Sequence, residues 1–119
     1  MTTTQTTGAT DVQKWIKDTI TANDVVLFMK GRKNMAQCGF SHRVDAVLQH
    51  LGVDYKDVNV LDDAGIRDGI KAFTNWPTIP QLYVKGEFIG GCDIVMEMFQ
   101  SGELHQLIHE KGVPHTNHG

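Results

Sequence analysis

Cys38-Gly39-Phe40-Ser41 is the stretch on which the fold of this chain turns. It sets one cysteine immediately ahead of a helical pattern, because Val44, Val47, Leu48 and Leu51 follow at the i, i+3, i+4, i+7 spacing of an amphipathic helix. Just upstream, Val25-Val26-Leu27-Phe28-Met29 is a short apolar run of the kind a buried strand needs. The order strand, loop, cysteine, helix puts the thiol at a helix N-terminus, where unpaired N–H groups and the macrodipole favour an anion. Such a position can lower a thiol pKa from about 8.5 into the range of roughly 3.5 to 7.5, and the thiolate is both nucleophile and metal ligand. The fourth residue of the motif is Ser41, so no second thiol follows one turn along.

Working outward, residues 30–37 form the loop between strand and thiol. Gly31 frees its backbone, and Lys30, Arg32 and Lys33 supply positive charge. Arg32 and Lys33 read equally well as solvated surface. Lys30 stands apart, at the end of a buried strand beside the thiol, where a carboxylate can be held. Past the helix, Gly52 suits a C-terminal cap, and residues 55–60 alternate as a second strand with Val58 and Val60 on one face. Asp62 and Asp63 can cap a third helix whose apolar face is Ile66, Ile70 and Phe73. Arg67 lies one residue off that face, as rim surface or as an anion contact. Strand, helix and strand in this order suggest a βαβ unit.

Trp76-Pro77-Thr78-Ile79-Pro80 then interrupts regular structure, and residues 82–84 and 87–89 read as two strands joined by a tight hairpin at Lys85-Gly86. Gly90-Gly91 ends the hairpin and opens a helix at Cys92-Asp93, with Ile94, Val95, Met98 and Phe99 inward. Gly102 breaks that helix; Leu104, Leu107 and Ile108 mark a last one, stopped by Gly112 and Pro114. At the other end, Thr10 and Gln13 have the form of a capping box, and Val12, Trp15, Ile16 and Ile20 mark the inner face of a first helix. Residues 1–9 are expected to be a flexible lead and residues 113–119 a loose tail, leaving one domain over residues 10–112.

Composition agrees with a single domain: 119 residues, 40% hydrophobic, with three prolines. A formal net charge of −3 supplies no electrostatic reason for nucleic acid or an anionic membrane as partner. No apolar run approaches the ~20 residues that span a bilayer, and the Thr-rich N-terminus lacks a signal or transit pattern, so a reducing cytoplasm is the expected compartment. The two cysteines, Cys38 and Cys92, are far apart in sequence and form no CxxC pair. In a reducing compartment a redox or ligand role for one of them is the better expectation than a disulfide.

Lys30-Gly31, Cys38-Gly39-Phe40-Ser41, Trp76-Pro77-Thr78-Ile79-Pro80 and Gly90-Gly91-Cys92-Asp93 together resemble the monothiol glutaredoxins of the CGFS type. The resemblance runs from about residue 12 to residue 108. It implies an α/β, thioredoxin-like (glutaredoxin) fold, a mixed four-stranded sheet flanked by helices. It implies glutathione binding and carriage of a 2Fe–2S cluster bridging a homodimer, with a BolA-like protein and apo iron–sulfur recipients as partners. By the same resemblance, Lys30 and Arg67 would hold the glycine carboxylate of glutathione. Ile79, before a cis Pro80, would pair with its cysteinyl unit. The N–H groups of Cys92 and Asp93 would take the γ-glutamyl carboxylate, with the Asp93 side chain on the amine. Family members commonly carry prolines where Lys33 and Ala36 stand here, so a less rigid loop is expected.

Counting ligands agrees with a shared cluster. A 2Fe–2S cluster ordinarily takes four thiolates, and one chain offers Cys38 as one good ligand. Two protomers and two glutathione molecules would complete the set; Cys38 and Cys92 of two chains are the rival set. Asp93 alone would also serve as an ordinary N-cap, and Cys92 as a small semi-buried residue. Two other functional classes stand beside the carrier: a glutathione-dependent thiol–disulfide oxidoreductase with Cys38 as nucleophile, and an iron-status regulatory module. His105 and His109 are spaced i, i+4, which can bind metal, but surface histidines are the plainer reading, and His115 and His118 fall in the tail.

Overall fold

The apolar run at residues 25–29 is buried on both sides, which is why it carries no polar residue. The computed structural model describes residues 9–115, and for Ala9 and Thr10 the backbone only. Strand β1 (Val25–Met29) lies inside a mixed sheet. It pairs in parallel with β4 (Lys56–Asn59) and antiparallel with β5 (Gln81–Val84), which pairs antiparallel with β6 (Glu87–Gly90). The order across the sheet is β4-β1-β5-β6. Because side chains alternate along a strand, Val25, Leu27 and Met29 enter one core while Val26 and Phe28 enter the other. At about 1.5–3 kcal/mol per buried large apolar side chain, this strand is the main apolar link between the two layers.

Helices α1 (Ala9–Ala22) and α3 (Ala64–Thr74) cover the Val26 face through Ile16, Ile20 and Ile70. Helices α2 (Gly39–Leu51), α4 (Cys92–Ser101) and α5 (Glu103–Glu110) cover the other, through Val44, Leu48, Val95, Leu104 and Ile108. The expected α/β architecture and its mixed four-stranded sheet are therefore present. The α2 helix ends at Gly52 with φ 69°, and Asp63 caps α3 by accepting from the N–H groups of Gly65 and Ile66 at 2.8 and 3.3 Å. At the hairpin turn Lys85 and Gly86 both have positive φ, 51° and 82°, as the tight connection requires.

Several expectations need correction. Trp15 and Ile94 were expected inward but are 41% and 38% exposed. Gln13 reaches across to the Gly69 carbonyl at 2.9 Å rather than closing a capping box, and the Thr10 side chain lies outside the described residues. Of the lead, residues 1–8 lie outside the described residues, and α1 already begins at Ala9. Of the tail, residues 116–119 lie outside them, but Val113 is buried in the α5-side core. Gly112, at φ 71°, turns the chain so that the Val113 N–H donates to the Ile108 carbonyl at 3.1 Å. This backbone closure carries an apolar residue back under the helix end.

Residues 30–37 are not a plain loop. They fold into a small antiparallel ribbon of β2 (Gly31–Arg32) and β3 (Met35–Ala36), closed by the Gln37 N–H on the Lys30 carbonyl at 2.8 Å. Gly31 is required there: its φ is 99°, and a Cβ would stand 2.5 Å from the Met35 carbonyl oxygen. The expected slackness does not follow from the absent prolines. Asn59 Oδ1 accepts the Gly31 N–H at 2.9 Å, Asp57 the Lys33 N–H at 2.9 Å, and Asp45 the Asn34 N–H at 3.0 Å. Arg32 pairs with Asp62 at 2.5 Å, and Lys33 Nζ donates to the Tyr55 carbonyl at 2.6 Å.

Asp45 is 4% exposed and also accepts from the buried Tyr55 hydroxyl. Removing it takes the acceptor from three donors, the Asn34 N–H, the Gln49 side-chain amide and the Tyr55 hydroxyl, of which the buried hydroxyl would be left unmet at about 1–3 kcal/mol. We expect Asp45→Ala to lower stability by about 2–3 kcal/mol, read as a lower urea midpoint at unchanged m. The Asn34 amide should exchange faster in the same variant. An unchanged midpoint would show that the carboxylate does not brace the ribbon.

Candidate functional site

The thiol sits where strand β1, the ribbon and helix α2 meet. Cys38 is the N-cap residue of α2, with extended backbone (φ −152°, ψ 139°) and a half-buried side chain. No cap hydrogen bond to the sulfur closes with ordinary geometry, but the first-turn N–H groups face it. The Ser41 N–H lowers the Cys38 pKa most; partial burial opposes, and the Phe40 N–H, the Lys30 charge and the Ser41 hydroxyl lower it further. Ser41, the fourth residue of the motif, does more than leave out a second thiol. It is fully buried, and its Oγ accepts the Lys30 N–H at 3.0 Å, tying the strand exit to the first turn of the helix.

Beside the thiol runs a groove of about 580 Å³, lined by Lys30 and Phe40, by Lys71 of α3, by residues 76–80, and by Gly91, Cys92, Asp93 and Ile94 at the start of α4. The Ile79-Pro80 bond is cis. Ile79 itself is buried, 7% exposed. Gln81 holds the wall of residues 76–80 from below: its Nε2 donates to the carbonyls of Trp76 and Thr78 at 3.1 and 3.3 Å, and its Oε1 accepts from Thr74 and Tyr83. The Trp76 indole packs on Phe88 with centroids 5.8 Å apart, and its buried Nε1 has no hydrogen-bond partner among the described residues. The backbone at Gly91 comes close to this wall, since a Cβ there would lie 3.2 Å from Trp76 Nε1 and 3.3 Å from the Pro80 carbonyl oxygen. A Cβ at Gly90 would lie 2.7 Å from Ile94 Cβ. Glycine is thus a packing requirement at Gly90, while at Gly91 a side chain would have to press the groove wall back by a few tenths of an ångström.

Of the residues singled out by sequence, Lys30, Ile79, Cys92 and Asp93 border one groove and Cys38 stands at its Lys30 side. Arg67 is not among the lining residues; its Nε lies 3.6 Å from Asp68. Lys71 lines the groove in its stead. It stands one turn beyond Arg67 on the same helix, so the i, i+4 relation could have found it. Gln81 carried no signal, because the strand was read from residue 82 and an amide just ahead of it passes for part of the loop; in the structure it is the first residue of β5. Arg43 was also passed over, yet its guanidinium lies against the Cys92 thiol. Burial pushes the Cys92 pKa up, with Asp93 and Cys38 adding to the rise, and Arg43 offsets only part of it. The two thiols are therefore tuned in opposite directions.

Chemically, the arrangement offers one accessible thiolate beside a groove with two ammonium groups and a helix N-terminus. It suits a small thiol-bearing ligand with carboxylates. The folded state depresses the Cys38 pKa, so its contribution to stability is present above the unfolded thiol pKa and is lost as pH falls through the folded value. Iodoacetamide should alkylate Cys38 with a pH midpoint below that of the urea-unfolded chain, and Cys92 with one above it. Lys30→Met should raise the Cys38 midpoint while leaving Cys92 unmoved. Peptide-resolved mass spectrometry reads both; coincident midpoints for the two cysteines would contradict the assignment.

A model of the glutaredoxin family matches residues 25–89. The chain is similar to a probable monothiol glutaredoxin 2 of Rickettsia typhi, 52% identical over 98 residues that cover 82% of this chain and 88% of the relative. Its fold is similar to the solution structure of a monomeric truncated mutant of Trypanosoma brucei 1-C-Grx1, with a TM-score of 0.81 and 42% identity over 88% of this chain and 96% of the other. It is also similar to a buckwheat glutaredoxin–glutathione complex, with a TM-score of 0.79 and 26% identity over 89% of this chain and 94% of that one. With one activated cysteine and a buried serine where a second thiol would stand, the chain belongs to the glutaredoxin family, among its monothiol members.

Proposed function

We propose that this monothiol glutaredoxin binds glutathione in the groove beside Cys38 and carries a 2Fe–2S cluster, as cargo, between two protomers. The observation that carries the reading is the contrast between the thiols: Cys38 is accessible and acidified, while Cys92 is buried with its pKa raised. Each chain then contributes one thiolate to a cluster that needs about four, and glutathione is the source of the others.

The groove fits glutathione by its donor set. Lys30 and Lys71 offer charge-assisted bonds to a carboxylate, and the first-turn N–H groups at Cys92 and Asp93 suit a second. Asp93 is exposed and free to take an ammonium group, and Trp76 Nε1 is a buried donor that a ligand can satisfy. The glutathione-bound buckwheat relative adds support. Met35 and Phe40, on either side of Cys38 in sequence, are 74% and 55% exposed, apolar surface that a facing protomer would cover. Recipients would be apo iron–sulfur proteins, and a BolA-like protein would compete for the second protomer's place, in a reducing cytoplasm.

A second reading, a glutathione-dependent oxidoreductase, is favoured by the lowered Cys38 pKa itself. The Cys38 thiolate would attack the glutathione sulfur of a mixed disulfide and expel the target thiolate. A second glutathione thiolate would then attack that sulfur, releasing glutathione disulfide and restoring Cys38. No intramolecular thiol helps, so turnover would depend on free glutathione.

Anaerobic reconstitution with iron and sulfide, followed by cluster absorption, tests the carrier. Formation should require both Cys38 and glutathione: Cys38→Ser should abolish it and Cys92→Ser should leave most of it. Loss of the cluster in Cys92→Ser, together with indifference to glutathione, would favour four protein cysteines. Ser41→Cys tests the fourth position. It exchanges a good acceptor of the Lys30 N–H for a weak one, costing about 1 kcal/mol, and brings a thiol within reach of Cys38. Mild oxidation should close a disulfide, reductase turnover should rise, and the cluster should decay faster. A wild type already as active as this variant would move the oxidoreductase reading ahead.

A further inference from the structure

The C-terminal turn gathers three imidazoles that none of the chemistry at Cys38 uses. His105 and His109 lie i, i+4 on one side of α5. The chain would leave the helix behind, but Gly112 at φ 71° and the Val113 N–H on the Ile108 carbonyl fold it back. His115 is thereby laid over both: its ring centroid is 5.1 Å from that of His105 and 6.1 Å from that of His109, with interplanar angles of 82° and 86°. The burial of Val113 in the core fixes the point from which His115 departs.

Two features point to an ion rather than to stacking alone. Imidazoles on a tetrahedral ion at Zn–N distances of about 2.0–2.1 Å have ring centroids about 5 Å apart, which the His105–His115 pair already matches. In addition, His115 Nδ1 lies 3.0 Å from the Val113 carbonyl oxygen. A carbonyl only accepts, so Nδ1 carries the proton of the neutral ring and Nε2 keeps the lone pair. A backbone carbonyl fixing the tautomer of a ligating histidine is the usual outer-shell arrangement. The three side chains are gathered but not yet closed into a coordination sphere among the described residues. His109 is exposed, with room to swing the remaining distance.

We propose that His105, His109 and His115 form a binding site for one borderline divalent cation, Zn²⁺ foremost and also Ni²⁺ or Cu²⁺, the ions that imidazole suits. The site is separate from the thiolate groove, none of whose lining residues it shares. Three imidazoles leave the fourth position of a tetrahedral ion to solvent. Because the ligands span the end of α5 and the segment beyond it, the bound ion would pin that segment and stabilise the folded chain by mass action.

The test uses the full chain carrying Cys38→Ser and Cys92→Ser, so that no thiolate binds the added ion. Zinc chloride is titrated by calorimetry, and melting is followed with and without zinc. One Zn²⁺ per chain at a Kd on the order of micromolar is expected, with a rise in Tm. His105→Ala and His115→Ala should each weaken binding by at least about tenfold and remove the Tm rise, whereas His50→Ala on α2 should change neither. Should His105→Ala fail to fold, the ring-proton NMR signals of the parent decide: zinc must shift those of His105, His109 and His115 and leave His50 in place. Absence of binding at these concentrations, affinity unchanged in His115→Ala, or unmoved ring signals would overturn the site.

Discussion

The Ser41 hydroxyl accepts the Lys30 N–H at 3.0 Å with no solvent access, and the position of the reactive sulfur depends on that bond. It joins the last turn of backbone out of β1 to the first turn of α2. Cys38 is thereby held at the helix start, where the Ser41 and Phe40 N–H groups face its sulfur. Leaving the Lys30 N–H unmet would cost about 1–3 kcal/mol, so the serine is a structural acceptor as much as an absent thiol. The same bond keeps the Lys30 side chain at the edge of the groove, where its charge acts on the thiolate. Fold, acidity and ligand recognition converge on one side chain.

The ribbon ahead of the thiol gets its shape from acceptors on other elements. Asp45 of α2, Asp57 and Asn59 of β4, and Asp62 beyond it each take a donor from residues 31–34. Proline would restrict the same segment by fixing φ and removing donors; here backbone N–H groups are kept and satisfied. The two routes differ in consequence. A hydrogen-bonded ribbon couples the loop to the sheet edge and to α2, so a change at Asp45 or Asp57 reaches the ribbon ahead of the thiol through the Asn34 and Lys33 amides. A proline acts only on its own bond and the residue before it.

How much of this was legible in the sequence follows from the range of the forces involved. The strand at residues 25–29, the helices after Cys38 and Asp63 and the Lys85-Gly86 turn are written in local spacing and were read correctly. The ribbon at residues 31–36 was not, because its stability lies in contacts with Asp57 and Asn59, more than twenty residues away. Periodicity placed Ile94 and Trp15 inward since both are apolar at helical spacing, but Ile94 faces the groove and Trp15 the outside. Val113 was assigned to the tail for want of periodicity, and the backbone turn at Gly112 has no periodicity to show. At the site, the cysteines, Lys30 and Asp93 carried their chemistry in their type. Lys71 and Gln81 did not, since an exposed-type lysine and a lone amide announce neither a groove nor a scaffold.

The opposite tuning of the two cysteines also explains why one chain can keep a reactive thiol beside a second one. Cys92 stands at the start of α4, a position that by itself favours a thiolate. Burial overrides that preference, and both Asp93 and Cys38 add to the rise because a charge on any of them disfavours a charge on Cys92. Ionisation of Cys38 thus suppresses ionisation of its neighbour, and Cys38 is the first of the two thiols to ionise. A ligand carboxylate arriving at the N–H groups of Cys92 and Asp93 would add negative charge there and deepen the asymmetry. Binding at the groove would thus reinforce what burial already imposes on Cys92.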